Sequence, residues 1–116
     1  KDLFDYANEL KIPITIHSGE STNYKEVEAA LNMHAKRIGH GIRSIDNFDL
    51  INKLKDNNIL LELCPTSNVQ TNSVDIYKNH PIKLFSLLGV IYSINTDNRL
   101  VSEIDLSREY KKLIDI

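Results

Sequence analysis

The stretch Ile12-Pro13-Ile14-Thr15-Ile16-His17-Ser18-Gly19-Glu20 decides the fold. Residues 12–17 are rich in β-branched side chains, which pack well on a pleated surface, and the run breaks at the polar Ser18-Gly19-Glu20. Beyond it, Val27, Ala30, Leu31 and His34 are spaced for one face of a helix. Asn23 is placed to cap that helix, with Glu26 at the third position to answer the cap. The reading is a strand that ends in a histidine and passes through a glycine turn into a helix.

The same unit recurs along the chain. Arg37-Ile38-Gly39-His40 forms a second short strand that breaks at Gly41, and Asp46 is expected to open a helix bearing Leu50, Ile51 and Leu54 on one face. Residues 59–64, Ile-Leu-Leu-Glu-Leu-Cys, read as a third strand ended by Pro65. A polar loop leads to a helix from Ile82 to Leu88, closed by Gly89. A fourth strand over residues 90–96 leads to Asp97, and a final helix starts near Asp105 and runs to the end of the chain.

Strands that are mostly apolar on both faces, alternating with helices, are expected to lie parallel with helices on both sides. Each runs into a polar residue: His17, His40, Cys64 and Asp97. In a β/α barrel the active site gathers at the carboxyl ends of the strands, and a whole barrel takes about 250 residues. The expected class is therefore α/β: a partial (β/α)8 barrel of the TIM type, roughly its C-terminal half, with four parallel strands. Residues 1–116 would be one portion of a single barrel domain, truncated at its N-terminus and also at its C-terminus. The chain opens at Lys1, its only methionine is Met33, and the helical pattern Leu106, Tyr110, Leu113, Ile114 stops without a terminating signal. A processed or trimmed chain is the alternative. An open doubly wound sheet is the rival fold, less suited because polar groups end several strands and not only those beside one crevice.

Composition narrows the function. A net charge of −2 gives no basic face for a phosphate backbone, so nucleic acid is not expected as a partner. No apolar run approaches the roughly 20 residues of a membrane helix, so no membrane partner is expected. The opening Lys1-Asp2-Leu3-Phe4-Asp5-Tyr6 does not read as a signal peptide. Cys64 is the only cysteine, which excludes an internal disulfide and points to a reducing, cytoplasmic location.

Three clusters could carry chemistry. His17-Ser18-Gly19-Glu20 sets an imidazole at a strand end and a carboxyl group three residues later, a metal ligand and a proton donor joined by a turn-forming glycine. Taken alone it also reads as a polar loop with a helix-entry glycine. In Arg37-Ile38-Gly39-His40-Gly41 two glycines flank a histidine where a backbone can approach a ligand closely; alone, it reads equally as a histidine satisfied by neighbouring carbonyls. Ser93-Ile94-Asn95-Thr96-Asp97-Asn98 puts a carboxylate at another strand end, able to complete a zinc site or hold a catalytic water. A lone aspartate there is more simply a helix cap or a loop residue bonded to its own backbone.

In this order, with a Cys64-Pro65 strand end between the second and third, the clusters resemble the adenosine deaminase family, specifically its bacterial-type members, over nearly the whole chain. The resemblance implies a metal-dependent hydrolase barrel with one catalytic zinc, removing the 6-amino group of a purine nucleoside as ammonia. His17 and Asp97 would be zinc ligands. Glu20 would protonate the purine ring nitrogen N1, and His40 would orient and help deprotonate the attacking water. Gly19 and Asn98 would contact the substrate. Zinc lowers the pKa of bound water to about 7. An acid role for Glu20 requires it to be protonated, so burial should raise its pKa toward roughly 6–7.

The resemblance departs in two places. The family's first strand carries a His-x-His pair that supplies two further zinc ligands, and here the histidines are His17, His34, His40 and His80. Loss of the N-terminal half accounts for that, and the isolated fragment is expected to be inactive. Asn98 stands where many members carry a second aspartate that bonds purine N7; an asparagine amide can donate to N7 without protonation. Bacterial-type members share the run Asn95-Thr96-Asp97-Asn98-Arg99. Adenosine is the expected substrate. A deaminase of adenine or a modified nucleoside is one alternative, and a non-catalytic half-barrel is the other. His34 reads as a surface or packing residue and His80 as a helix-entrance residue. Cys64 reads as a buried apolar group, and Ser67 and Asn68 as pocket-lining residues without an assigned role.

Overall fold

The structure, a computed structural model, describes residues 2–114 and 116. Lys1 and Asp115, which belong to the expected domain and, for Asp115, to the expected last helix, lie outside the described residues.

Among the described residues the elements run α1 (Leu3–Glu9), β1 (Thr15–Ser18), α2 (Tyr24–Asn32), β2 (Arg37–His40), a 3-10 helix (Ile42–Asp46), α3 (Phe48–Asp56) and β3 (Leu60–Leu63). There follow α4 (Pro65–Gln70), a second 3-10 helix (Tyr77–Asn79), α5 (Ile82–Leu88), β4 (Tyr92–Ile94), α6 (Arg99–Ser102) and α7 (Leu106–Ile114). The four strands form one parallel sheet in the order β1-β2-β3-β4. Parallel neighbours in sequence order, each joined through a helix, are the repeating unit of a β/α barrel. The expected half-barrel is what the chain builds.

The sheet differs from expectation in how its faces are used. Ile38, Leu61 and Leu63 are buried with Val27, Ala30, Leu50, Ile51, Leu54 and Phe85 from the helices, forming the core. The alternating positions Thr15, His17 and Arg37 are exposed, and Leu60, Glu62 and Ser93 are half-buried. Helices therefore cover one face, and the other is polar, with Arg37 Nη2 donating to Glu62 Oε2 across two strands at 3.1 Å. That second face is the one a closed barrel turns inward, which is why the strands alternate where an apolar run on both faces was expected.

Helix starts follow local hydrogen bonding more closely than periodicity suggests. Asn23 does cap α2, accepting from Lys25 N–H at 2.8 Å. Glu26 does not return to the cap; its Oε2 accepts from Gly19 N–H at 3.4 Å and ties the helix to the preceding turn. Asp46 closes a 3-10 helix, and Asn47 is the cap of α3, accepting from Leu50 N–H at 2.9 Å. Pro65 ends β3 as expected but also starts α4, because its missing N–H is unneeded in a first helical turn. Asp105 caps the last helix through Arg108 N–H at 2.9 Å.

Candidate functional site

Parallel register sets the site. His17 lies beside Gly39, and Gly39 beside Glu62, on the polar face of the sheet. A Cβ at position 39 would lie 2.6 Å from His17 Nδ1 and 3.0 Å from its Cγ and Cε1. Glycine at 39 is thus what lets the His17 ring lie across the neighbouring strand. Gly19 has φ +64°, and a Cβ there would run into Val27 Cγ2, so the turn after β1 packs directly on α2. Its N–H is taken by Glu26, which makes Gly19 a packing element of the loop.

Two other strand ends have left-handed backbones that side chains rarely adopt. Of the non-glycine residues with positive φ, Lys11, His34, Asn58, Asn72 and Glu103 terminate helices, where the conformation is ordinary. His40 (φ 65°) instead ends β2, and Asp97 (φ 59°) follows β4. Such conformations cost on the order of 1–3 kcal/mol and cluster where a side chain must be aimed.

They aim at each other. His40 is 1% exposed, and its Nε2 lies 3.4 Å from Glu20 Oε2 and 3.7 Å from Asp97 Oδ2. The His17 ring meets the His40 ring edge-on, with centroids 5.0 Å apart. Ligand atoms of His40, Cys64 and Asp97 all lie within 4.8 Å of one another. A cavity of about 330 Å³ is lined by His17, Gly39, His40, Glu62, Cys64, Asn95 and Asp97. His17, Glu20, His40 and Asp97 are thus brought to one end of the sheet. The Glu20 side chain is 28% exposed, less buried than an acid role led us to expect, because it sits in the loop beyond β1 and not in the strand. Asn98 lies at the edge, where its Oδ1 caps α6 by accepting from Leu100 and Val101 N–H, both at 3.0 Å.

Burial lowers the pKa of His40 below the ordinary histidine value, against the opposing pull of the Glu20 carboxylate. Cys64 is buried, and burial, helped by Asp97, pushes its thiol up to about 12. It therefore stays protonated at neutral pH, and its Sγ faces the Glu62 carbonyl at 3.7 Å. Cys64 fits its expected place as a buried apolar group with no nucleophilic character.

The supporting residues are those the sequence left without roles. Ser67 Oγ donates to Asp97 Oδ2 at 2.9 Å, and Asn98 N–H donates to Asp97 Oδ1 at 2.9 Å, so both carboxylate oxygens are held. Asn68 Nδ2 meets His40 Nδ1 at 3.2 Å, and Asn68 Oδ1 meets His80 Nε2 at 2.9 Å. His80 is at a helix entrance as expected, accepting from Ile82 N–H at 3.1 Å. His34 pairs with Asp5 at 3.0 Å away from the site. The Pro65 break was a signal that residues 66–68 stand at a strand end. The bonds of Asn68 to His40 and of Ser67 to Asp97 span 28 and 30 positions in sequence, which local patterns do not encode.

The donor set fits a first-row metal such as zinc. An imidazole (His17) and a carboxylate anchored by a serine and a backbone amide (Asp97) are nitrogen and oxygen ligands of the kind zinc takes. The glycine that makes room for His17 and the clamp on Asp97 are the support such ligands require.

A parallel β/α half-barrel with histidines and carboxylates converging at the carboxyl ends of its strands has the architecture of the β/α barrels, whose active sites gather at that end. The chain matches the family model for adenosine deaminase over residues 1–115 and belongs to that family. It is 42% identical to an adenosine deaminase of Haemophilus ducreyi, the match covering 95% of this chain and 32% of that protein. Among solved structures it resembles an adenine deaminase from Arthrobacter aurescens, with TM-score 0.92, 27% identity, and coverage of 98% of this chain and 35% of that one. It also resembles an N6-methyl-AMP deaminase from Arabidopsis thaliana, with TM-score 0.83, 32% identity, and coverage of 96% and 32%. The chain thus spans about a third of the length of these relatives.

Proposed function

We propose that the protein carrying this chain hydrolyses adenosine to inosine and ammonia, with residues 1–116 forming the C-terminal portion of its single barrel domain. The observation that carries the proposal is the convergence of Glu20 and Asp97 on His40 Nε2, at 3.4 and 3.7 Å, beside His17. His17 and Asp97 would hold zinc together with ligands from elsewhere in the protein. When bound, zinc supplies Lewis-acid activation of water at neutral pH. Glu20 gives its proton to ring nitrogen N1, so that negative charge built by attack at C6 is absorbed. His40 orients the attacking oxygen. Asn98 offers its amide donor to N7, and Gly19 keeps the loop bearing Glu20 close to the ring. A catalytic zinc site generally needs three protein ligands and an open position, so the 116-residue chain alone is not a competent enzyme. A purine nucleoside is the partner, and the unpaired Cys64 suits the reducing cytoplasm. Among the described residues no helix is long and apolar enough to cross a membrane.

The test separates metal binding from proton transfer. In the full-length protein, Glu20→Gln keeps the side-chain shape and removes its transferable proton. Zinc content should hold while kcat falls by at least the roughly 10²–10⁴-fold that general acid catalysis is worth. A variant with near-normal turnover removes Glu20 from the mechanism. The likeness to an adenine deaminase and an N6-methyl-AMP deaminase favours a second reading, another 6-aminopurine as substrate. Ammonia release from adenosine, adenine and N6-methyl-AMP, compared by kcat/KM, decides between them, and no release from any of them leaves a non-catalytic half-barrel.

A further inference from the structure

Asn68 ties two buried histidines together, and the polarity of this chain is set at one end by the backbone. The Ile82 N–H can only donate, and it points at His80 Nδ1 at 3.1 Å, so Nδ1 carries a lone pair. His80 is 3% exposed, and burial lowers its pKa to about 4, so the ring is neutral with its proton on Nε2. That Nε2–H donates to Asn68 Oδ1 at 2.9 Å. With its carbonyl engaged, Asn68 turns its NH2 group to His40 Nδ1 at 3.2 Å. An amide nitrogen has no acceptor capacity, so His40 Nδ1 must accept. Reversing the chain would set a His80 Nδ1–H against the Ile82 N–H, two donors face to face in a buried place.

We propose that His80, acting through Asn68, is a positioning residue that holds neutral His40 in its Nε2–H tautomer. His40 then presents a hydrogen-bond donor to the space between Glu20 and Asp97, where a general base would present a lone pair. The donor steadies and orients the attacking oxygen and does not take its proton. The catalytic consequence rests on the function proposed above; the tautomer does not. The arrangement also explains why Asn68, 0% exposed, is an asparagine: both its donor and its acceptor are used, each by a different histidine.

The test uses the full-length protein labelled with ring-¹⁵N histidine, as wild type, Asn68→Asp, His80→Phe and His80→Gln. Two-bond ¹H–¹⁵N spectra read which ring nitrogen of His40 carries the proton. Wild type should show a bare Nδ1. So should His80→Gln, whose amide can still donate to Asn68. Asn68→Asp is a near-isosteric acceptor and should draw a proton onto His40 Nδ1. His80→Phe leaves Asn68 free to turn over and should mix the two tautomers. On adenosine, Asn68→Asp should lose about 10–100-fold in kcat with KM little changed, the range for a partner that orients a site residue, and His80→Gln should recover most of what His80→Phe loses. A wild-type spectrum with the proton on Nδ1 overturns the proposal, as does an Asn68→Asp protein with unchanged tautomer and kcat. Should Asn68→Asp not fold, the wild-type and His80→Gln spectra decide alone. A wild-type protein that releases no ammonia refutes the proposed function while its spectrum still judges this inference.

Discussion

Gly39→Ala is the smallest change that should disable the candidate metal site while leaving the fold intact. Gly39 is central in β2, paired with His17 on one side and Glu62 on the other, so its backbone cannot retreat from either neighbour. An added Cβ would stand 2.6 Å from His17 Nδ1, whereas ordinary contact starts at 3.4 Å, so the ring must move by about 0.8 Å. His17 is exposed, so its ring has room to swing and the substitution need not unfold the sheet. Gly39 does not have a left-handed φ. Alanine is therefore unstrained there, and loss of glycine's freedom in the unfolded chain offsets part of the contact cost, by about 0.4–1 kcal/mol. Catalytic constellations must be held within about 0.5 Å, and a misplacement of about 1 Å can cost roughly 10²-fold. The expected outcome in the full-length protein is a melting temperature close to wild type, weakened zinc retention on dialysis, and kcat/KM on adenosine lower by about 10²-fold. Full zinc occupancy with wild-type kcat/KM would show that the position of His17 seen here is not the one the chemistry uses.

His17→Ala should lose zinc and activity together, measured by metal analysis and ammonia release on the same preparation; activity persisting in zinc-loaded protein would remove His17 from the ligand set. Ser67→Ala frees Asp97 Oδ2 from its 2.9 Å hydrogen bond and should cost about 10–100-fold in zinc affinity, read by competition with a chelating dye. Glu109 is buried, and burial raises its carboxyl pKa above the ordinary value. An acid with a raised folded pKa binds more protons folded than unfolded, so its contribution is greatest at low pH and is lost as pH rises through the raised value. Glu109→Gln keeps an amide oxygen for Thr66 N–H and should therefore gain on wild type in melting temperature as pH rises from about 4 to about 8; a difference that stays constant over that range would reject the assignment.

The fold was legible because period and punctuation carry it. Gly41, Pro65 and Gly89 mark breaks whose physical cause is local, and α5 spans Ile82–Leu88 as its pattern predicts. Asp46 was misread as a helix start because an aspartate before an apolar face is a cap by type. The following Asn47 is the residue whose backbone is extended, with ψ 115°, so its side chain reaches back to the helix. The polar loop expected after Pro65 holds two helical turns, since Thr66, Ser67 and Asn68 have low intrinsic helix propensity and are fixed by tertiary bonds. Likewise, His17, His40 and Asp97 could be found at strand ends from the sequence, but His80 could not be connected to them. Its link runs through Asn68 and depends on two side chains meeting across separate elements.

That one turn of α4 explains how polar groups can be buried behind the site. Thr66 N–H donates to Glu109 Oε1 at 2.7 Å, and Thr66 Oγ1 pairs with Tyr77 OH at 2.8 Å. Ser67 holds Asp97 at the end of β4, and Asn68 holds His40 at the end of β2. Three consecutive residues thus join the ends of two strands to α7. Buried polar groups are costly unless their hydrogen bonds are made inside the protein, and Thr66, Ser67 and Asn68 make theirs to Glu109 Oε1, Asp97 and His40, while Glu109 Oε2 is buried without a partner. The left-handed backbones of His40 and Asp97 are held by the same contacts, since each side chain is bonded to this turn. The candidate site residues sit at or just beyond the ends of strands that the hydrophobic pattern specifies, while the aim of His40 and Asp97 is set by a short polar helix that the pattern does not specify. A substitution in residues 66–68 should therefore disturb the geometry of the site before it disturbs the sheet, whose core of Ile38, Leu61 and Leu63 includes none of them.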